Sequence, residues 1–545
     1  MNDIQAEVYD AGKEFYVYFS SELRAEIIKE AQRRIDKLEK RQHAYAVDQV
    51  RFQKRTGLEP NLPFDNFWPT LHDFFVPQFC IDNAADLADH TCLAIIDRTY
   101  QPIPALAFSI PKPDGSQRSV KQFSIVDAAV SNVVFRHVRK RNVEQMSEHS
   151  YAYHPNKSVP NAIVALREFR AAPGTFAVQI DFKKFFDSIC HEFLINKLED
   201  KRFNIEEHEK HVIRAFMKHE YAEFDLHAIF MCSRNEIGVP QGATISLFLA
   251  NLACDDLDKA VVQNADFYAR FADDTLCFCN SLEDAKNVAA LIEKHSERMG
   301  VSINVKKSPG ITILGMKHGV VSQSNFIDFL GYRYENGKLA LSDRSFKRLK
   351  KHIAKIIHLR LVHYLKDGFD PSRCATKPFP YGWDLVGLIC EINGFLYGGH
   401  RDSDIRKYMS DEIKLGSLNG VMRHYCLIED KEQVRQLDGF TLNIIRRAMA
   451  HRNRILNEKH GLSCPTPSNK QLLNATWFDE RAWNEGTPPD IKLGSFVRAW
   501  KASYRFHVDG KGRTSSDFAD STDFCDYDPL GDLDSAMMGF DDELL

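Results

Sequence analysis

The chain has 545 residues, 44% of them hydrophobic and 27% charged, with a formal net charge of −4. That length predicts roughly two to four domains, each with a real core, and the composition is that of an ordinary globular protein. No apolar run approaches about 18 residues, so a membrane span is not expected, and the opening MNDIQAEVYDAGKEF lacks the basic-then-apolar pattern of a secretory signal, so the protein is expected in the cytoplasm.

In chain order, residues 21–55 are predicted to form one long helix capped by Ser21, with acidic residues early and basic ones late. Its basic side chains suit either a phosphate backbone or a solvated face. Pro60, Pro63 and Pro69 then break the chain. Residues 105–123 read as strand, turn, strand, the turn being Pro113-Asp114-Gly115. TFAVQIDF, 175–182, is an apolar strand ending near Asp181. EIGVPQG, 236–242, is a loop that leads into a helix, and 266–279 is two short strands around Ala272-Asp273-Asp274. Residues 282–299 are helical, and 329–341 form a hairpin around Asn336-Gly337. A basic helix follows, and beyond 345 the chain reads as mostly helical, with loops at 366–383 and 462–470.

Helices and strands mix without a regular βαβ alternation, which predicts an α+β fold for 100–340. The 12 Cys include no Cys-x-x-Cys pair, the spacing that a structural zinc site uses. Buried free thiols are expected instead, with Cys277 and Cys279 on one strand face. From Asp517 onward there are ten acids and no Lys or Arg, leaving 71 basic against 65 acidic residues in the body. A mildly basic body with an acidic tail hints at nucleic-acid contact. The tail itself reads as disorder or as a segment that docks on a basic groove of this chain or of a partner.

The candidate chemistry rests on carboxylates. Joining a nucleotide to a 3′-hydroxyl is served by two divalent ions about 3.5–4 Å apart. Magnesium takes hard oxygen ligands, so acidic side chains must converge. Asp181 at a strand end and Asp273-Asp274 at a turn, flanked by apolar segments, can meet on adjacent strands. Burying two carboxylates without a cation would cost several kcal/mol. Two other pairs, Asp255-Asp256 and Asp541-Asp542, read as surface residues.

Asp181-Phe182-Lys183-Lys184-Phe185-Phe186-Asp187 resembles the first palm motif of reverse transcriptases, and Phe271-Ala272-Asp273-Asp274 their aromatic-x-Asp-Asp box. Gly238-Val239-Pro240-Gln241-Gly242, followed by Ser246, resembles the loop and helix start between them, in the family's order. The resemblance covers about residues 105–360. It implies a right-hand polymerase of fingers, palm and thumb, using two Mg2+ ions for which Mn2+ can substitute. Asp181, Asp273, Asp274 and the backbone carbonyl of Phe182 would be the metal ligands. Phe186 would lie under the sugar and exclude a 2′-hydroxyl, selecting dNTP substrates. Gln241 and Gly242 would lie near the incoming nucleotide, and Lys112 and Arg118 would close on its triphosphate.

Asn304-Val305-Lys306-Lys307-Ser308 resembles the family's Asn-x-x-Lys-Thr segment, which gives Lys307 a general-acid or a plain electrostatic role. Ser150-Tyr151-Ala152-Tyr153-His154-Pro155-Asn156-Lys157-Ser158 is a looser match to a finger motif, and His154 receives no chemical role. Phe329-Leu330-Gly331-Tyr332 resembles the primer-gripping segment. Lys347, Arg348, Lys350, Lys351 and Lys355 of the next helix cover more than one face, and the resemblance puts this thumb helix along the duplex, with Lys347, Arg348 and Lys351 as primer or template contacts.

The domain layout implied is a helical N-terminal extension at 1–100, fingers at 101–174, palm at 175–340, helical thumb at 341–460, a C-terminal region at 461–515 and the acidic tail at 516–545. An RNase H acidic cluster, a Cys/His nuclease module and a retron thumb signature are missing from the sequence, and the Pro-Gln-Gly loop is intact. The chain is therefore similar to the bacterial defence-associated and abortive-infection reverse transcriptases. That resemblance implies an RNA template, possible pairing with a structured non-coding RNA, a DNA product, and a homo-oligomer or partner protein. Template-independent or protein-templated synthesis by the same site shares every motif, and a degenerate RNA-binding scaffold is the non-enzymatic alternative.

Overall fold

The computed structural model describes residues 2–56, 58–59, 72–111, 117–223, 232–316, 319, 321–365, 383–478 and 489–508. The turn at 112–116, with Lys112, the loop at 366–382 and the acidic tail lie outside the described residues. The chain divides into two compact units, Met1–Gln42 with Asp65–Ser324, and His43–Phe64 with Asn325–Leu545. Among the described residues no helix is long and apolar enough to cross a membrane.

The fold is α+β. The first helix runs over Asn2–Thr56, so Ser21 lies inside it and caps nothing, a correction to the sequence reading. Phe19, Leu23, Ile27 and Ala31 recur every fourth residue and are fully buried, the stripe by which a helix docks on a core. They share that core with Ala88, Cys92 and Val130. Beside the stripe, Glu26 is nearly buried and is held by Asn132 at 3.0 Å and Arg136 at 2.7 Å, both on the helix Ile125–Asn142.

Five strands form the sheet that positions the acidic residues. Their order is Ser322–Ser324, Gly310–Leu314, Phe176–Gln179, Asp274–Cys279, Phe267–Phe271. Phe176 pairs with Cys279 and Val178 with Cys277 in antiparallel register, which puts both thiols on the same buried face. The helices Ile245–Val262 and Leu282–Met299 cover the sheet. A second sheet has the order Gln117–Gln122, Ala105–Pro111, Glu220–Glu223, Cys232–Arg234. Of the pair Asp255-Asp256, Asp255 departs from its reading as a surface residue, while the Asp256 side chain stays partly exposed. Asp255 is 1% exposed and bonded to Lys259 at 3.0 Å and Arg202 at 3.1 Å, while Asp256 pairs with Lys197 at 2.5 Å. Lys259 and Arg202 compensate the Asp255 carboxylate that the helix carries inward.

In the second unit, the antiparallel strands Ile327–Phe329, Tyr332–Glu335 and Lys338–Leu341 precede helices at Asp343–Leu361, Trp383–Tyr397, Lys431–His460 and Phe496–His507. Asn336 and Gly337 have φ of 49° and 79°, and Leu330 and Gly331 have φ of 49° and 82°. Both turns therefore use two left-handed residues, the twist that suits a two-residue hairpin. The Asp384–Arg452 ion pair, 3.0 Å, is buried among these helices.

Candidate active site

The antiparallel register brings the acidic residues together. Val178 pairs with Cys277, and Thr275 Oγ1 donates to the Ile180 carbonyl at 3.2 Å. Continuing that register sets Asp181 opposite Asp274. Phe271 pairs with Asp274 across a two-residue turn, in which Ala272 has φ +58°. A left-handed non-glycine residue costs about 1–2 kcal/mol, and such strain is typical where backbone must aim functional groups.

Asp181 is clamped from the other side by the segment 304–308. The Asn304 N–H donates to the Asp181 carbonyl at 2.7 Å, and its Nδ2 donates to Oδ2 at 2.9 Å. The Asp181 N–H donates to Ser308 Oγ at 2.9 Å, which in turn donates to the Asn304 carbonyl at 2.9 Å. The sequence reading quoted Asn304 and Ser308 but gave them no role. Lys307 is exposed on the same turn.

Burial pushes the Asp273 carboxyl above the usual carboxylate range, and the charge of Asp181 pushes in the same direction. Arg118 and Arg270 oppose the shift. Two repelling carboxylates at the end of adjacent strands are a donor set that a hard divalent cation would relieve. Among the described residues no group of three or more His, Cys, Asp or Glu side chains converges closely enough to hold an ion alone. Phe182 is buried and stacks on Phe185 at 5.6 Å.

Phe186 lies in the short helix Phe185–Ser188, half-buried and edge-on to Phe185. The loop 238–242 packs directly on it. The Val239 N–H donates to the Phe186 carbonyl at 2.7 Å, and Gln241 Nε2 donates to Asp187 Oδ1 at 2.8 Å. Gly242 has φ +128°, and a Cβ there would lie 2.0 Å from the Lys121 carbonyl oxygen. The Lys121 N–H donates to the Gln241 carbonyl at 2.7 Å. The strand carrying Arg118, exposed, is thereby tied to the loop carrying Gln241.

The second unit holds the remaining residues singled out by sequence. Phe329 and Tyr332 are core side chains, with Tyr332 fully buried, and Leu330 and Gly331 form the turn between them. Arg344, Lys347, Arg348 and Lys351 are all exposed, and their spacing of i, i+3, i+4, i+7 makes one stripe. Lys350 instead lies over Phe346 and Phe440, and Lys355 is buried. The five cations do cover more than one face, three on the exposed stripe and two, Lys350 and Lys355, packed inward.

Residues 110–334 match the family model described as "Reverse transcriptase (RNA-dependent DNA polymerase)". The "Putative COX1/OXI3 intron 1 protein" of Saccharomyces cerevisiae is 26% identical over 165 residues, 30% of this chain and 19% of that protein. "Protein YkfC" of Escherichia coli is 25% identical over 168 residues, 29% of this chain and 41% of that protein. The chain thus spans less than half the length of these curated relatives. Among solved structures, telomerase from Candida albicans, in complex with a fragment of telomeric RNA, is similar at a TM-score of 0.36 and 13% identity, covering 66% of this chain and 63% of that one.

Proposed function

We propose that the protein is an RNA-directed DNA polymerase whose chemistry is carried by Asp181, Asp273 and Asp274. The observation that carries this reading is the antiparallel register that sets Asp181 against the Asp273-Asp274 turn, inside the segment that matches the reverse transcriptase family. Two Mg2+ ions held by these carboxylates and the Phe182 carbonyl would stabilise the attacking and leaving oxygens, with Mn2+ as a substitute. The protein's own groups do the positioning. Asn304 and Ser308 fix Asp181, Phe186 lies where a sugar would rest, and Arg118 supplies positive charge toward the acidic centre for a triphosphate. Lys307 is on hand for the leaving pyrophosphate. The stripe of Lys347, Arg348 and Lys351 suits phosphates of a primer–template duplex.

The finer reading is a role in bacterial antiphage defence with a companion structured RNA. It is supported by the intact Pro240-Gln241-Gly242 loop and by ends that diverge from the matched domain. Purified full-length protein supplied with a primed RNA, dNTPs and Mg2+ should yield complementary DNA. Equal incorporation without template would move the reading to template-independent synthesis, and no incorporation under either condition would reject it. Sequencing of co-purifying nucleic acid should return one recurrent RNA species. A random sample of cellular RNA would count against the companion RNA.

A further inference from the structure

Arg270 is, with Arg452, one of the two largest fully buried side chains among the described residues, and it sits directly before the Phe271-Asp274 turn. Its guanidinium is saturated. Nε donates to Asp258 Oδ1 and Nη2 to Asp258 Oδ2, both at 2.7 Å. Nη2 also donates to Ser150 Oγ at 2.9 Å, and Nη1 to Asn251 Oδ1 at 3.3 Å. The last donor, on Nη1, goes to the carbonyl of Ala272 at 2.9 Å. An arginine has five N–H donors in a rigid fork, and here each has an acceptor.

Stability alone is a poor reason for this arrangement. A buried ion pair is often replaceable by apolar residues with no loss, and the surroundings here are an apolar sheet and helix. What an apolar side chain could not do is hold the carbonyl of Ala272, the left-handed residue whose conformation aims the next two carboxylates. A lysine could not do it either, since one ammonium cannot reach Asp258, Ser150 and Ala272 in fixed directions. The fork joins three parts of the chain. Asp258 and Asn251 belong to the helix Ile245–Val262. Ser150 belongs to a segment that bridges to Arg270 through its backbone, with the Tyr151 N–H donating to the Arg270 carbonyl at 2.8 Å. The third part is the turn itself.

We propose that Arg270 is a positioning residue that fixes the Ala272-Asp273-Asp274 turn against Asp258 and Ser150, and so sets the affinity of the acidic centre for a divalent cation. This rests on the polymerase reading for the purpose of the cation, but not for the mechanics of the turn. It also gives Ser150 a function as part of the support beneath the carboxylates, which the loose finger motif did not suggest.

The test uses full-length protein with Arg270→Lys, which keeps the charge and loses the fork, and Tyr268→Phe, which removes one hydrogen bond to Asp258 and leaves the fork. Mn2+ alone is titrated and free Mn2+ read by electron paramagnetic resonance, beside thermal melting and the Mg2+ dependence of primer extension. Arg270→Lys should weaken Mn2+ binding by about 10–100-fold, the usual scale for support behind metal ligands. The Mg2+ needed for half-maximal extension should rise while the KM for primer–template stays put, and Tyr268→Phe should bind Mn2+ as wild type does. If Arg270→Lys does not fold, Asp258→Asn, which keeps the acceptor's shape, carries the same expectation. Unchanged Mn2+ affinity in a folded fork variant, or an equal loss in Tyr268→Phe, would overturn the proposal. Wild-type protein that extends no primer, while Mn2+ affinity still falls on Arg270→Lys, would reject the polymerase reading and leave the role of Arg270 standing.

Discussion

Asn304 holds Asp181 at two points, donating from its backbone N–H to the Asp181 carbonyl at 2.7 Å and from Nδ2 to Oδ2 at 2.9 Å. The first contact fixes the strand end and the second fixes one oxygen of the carboxylate. A carboxylate oriented in this way keeps its direction without help from substrate.

Replacing that amide should therefore cost activity out of proportion to stability. Asn304→Ala should lower the rate of primer extension by about 10–100-fold, with a melting temperature near that of wild type, because residue 304 is only half-buried. Extension kinetics at varied Mg2+ beside a thermal melt measures both, and an unchanged rate would remove Asn304 from the site.

Phe186 should govern the choice of sugar. Phe186→Val opens space beside the Gln241 loop and should raise the efficiency of ribonucleotide relative to deoxynucleotide incorporation by at least about tenfold, since losing a steric exclusion is worth about 1–3 kcal/mol. Single-nucleotide insertion with matched dNTP and rNTP reads the ratio. An unaltered ratio would make Phe186 a packing residue.

Gly242 is constrained by backbone, not by chemistry. Its φ of +128° and the 2.0 Å approach of a Cβ to the Lys121 carbonyl oxygen leave alanine no room. Gly242→Ala should destabilise the protein by about 2–3 kcal/mol and loosen the tie between the loop and the strand carrying Arg118. Urea denaturation measures the first effect, and a variant as stable as wild type would contradict the packing described.

His219 should make stability depend on pH. It is 2% exposed, its Nδ1–H donates to the Phe216 carbonyl at 2.9 Å, and its buried Nε2 has no partner among the described residues. Burial, aided by the charges of Lys121 and His191 and opposed by the Phe216 bond, lowers it to about 4. The unfolded chain thus takes up a proton that the folded one refuses. This contribution is fully present above about pH 6.5 and is lost as pH falls toward 4. It amounts to on the order of 2–3 kcal/mol. Urea midpoints between pH 7.5 and 4.5 should fall less steeply for His219→Phe than for wild type, and parallel slopes would exclude the residue as a source.

Much of the sheet was legible because its signals are local. The apolar segments flanking Ala272-Asp273-Asp274, the Asn336-Gly337 turn and the helical reading of 282–299 each specify an element locally, and these elements appear at Phe267–Phe271, Asp274–Cys279, Lys338–Leu341 and Leu282–Met299. What escaped depends on partners far along the chain. Ser21 looked like a cap because its residue type suits one, yet the helix continues through it to Asn2. Asp255 looked exposed because a lone carboxylate should be, and only the fold brings Arg202 to it. The support of Asp181 by Asn304, 123 residues away, is invisible to any pattern of spacing. Arg270 did leave a signal, a lone charge inside an apolar strand, whose meaning came only with Asp258 and Ser150.

The central claim is most directly tested by primer extension on an RNA template with Asp181→Asn and Asp273→Asn, each compared with wild type at equal folded concentration. Wild type should make complementary DNA in Mg2+, and each variant should lose at least about a thousandfold in rate, the loss of about 4 kcal/mol of transition-state stabilisation. Synthesis by either variant at the wild-type rate would contradict the account.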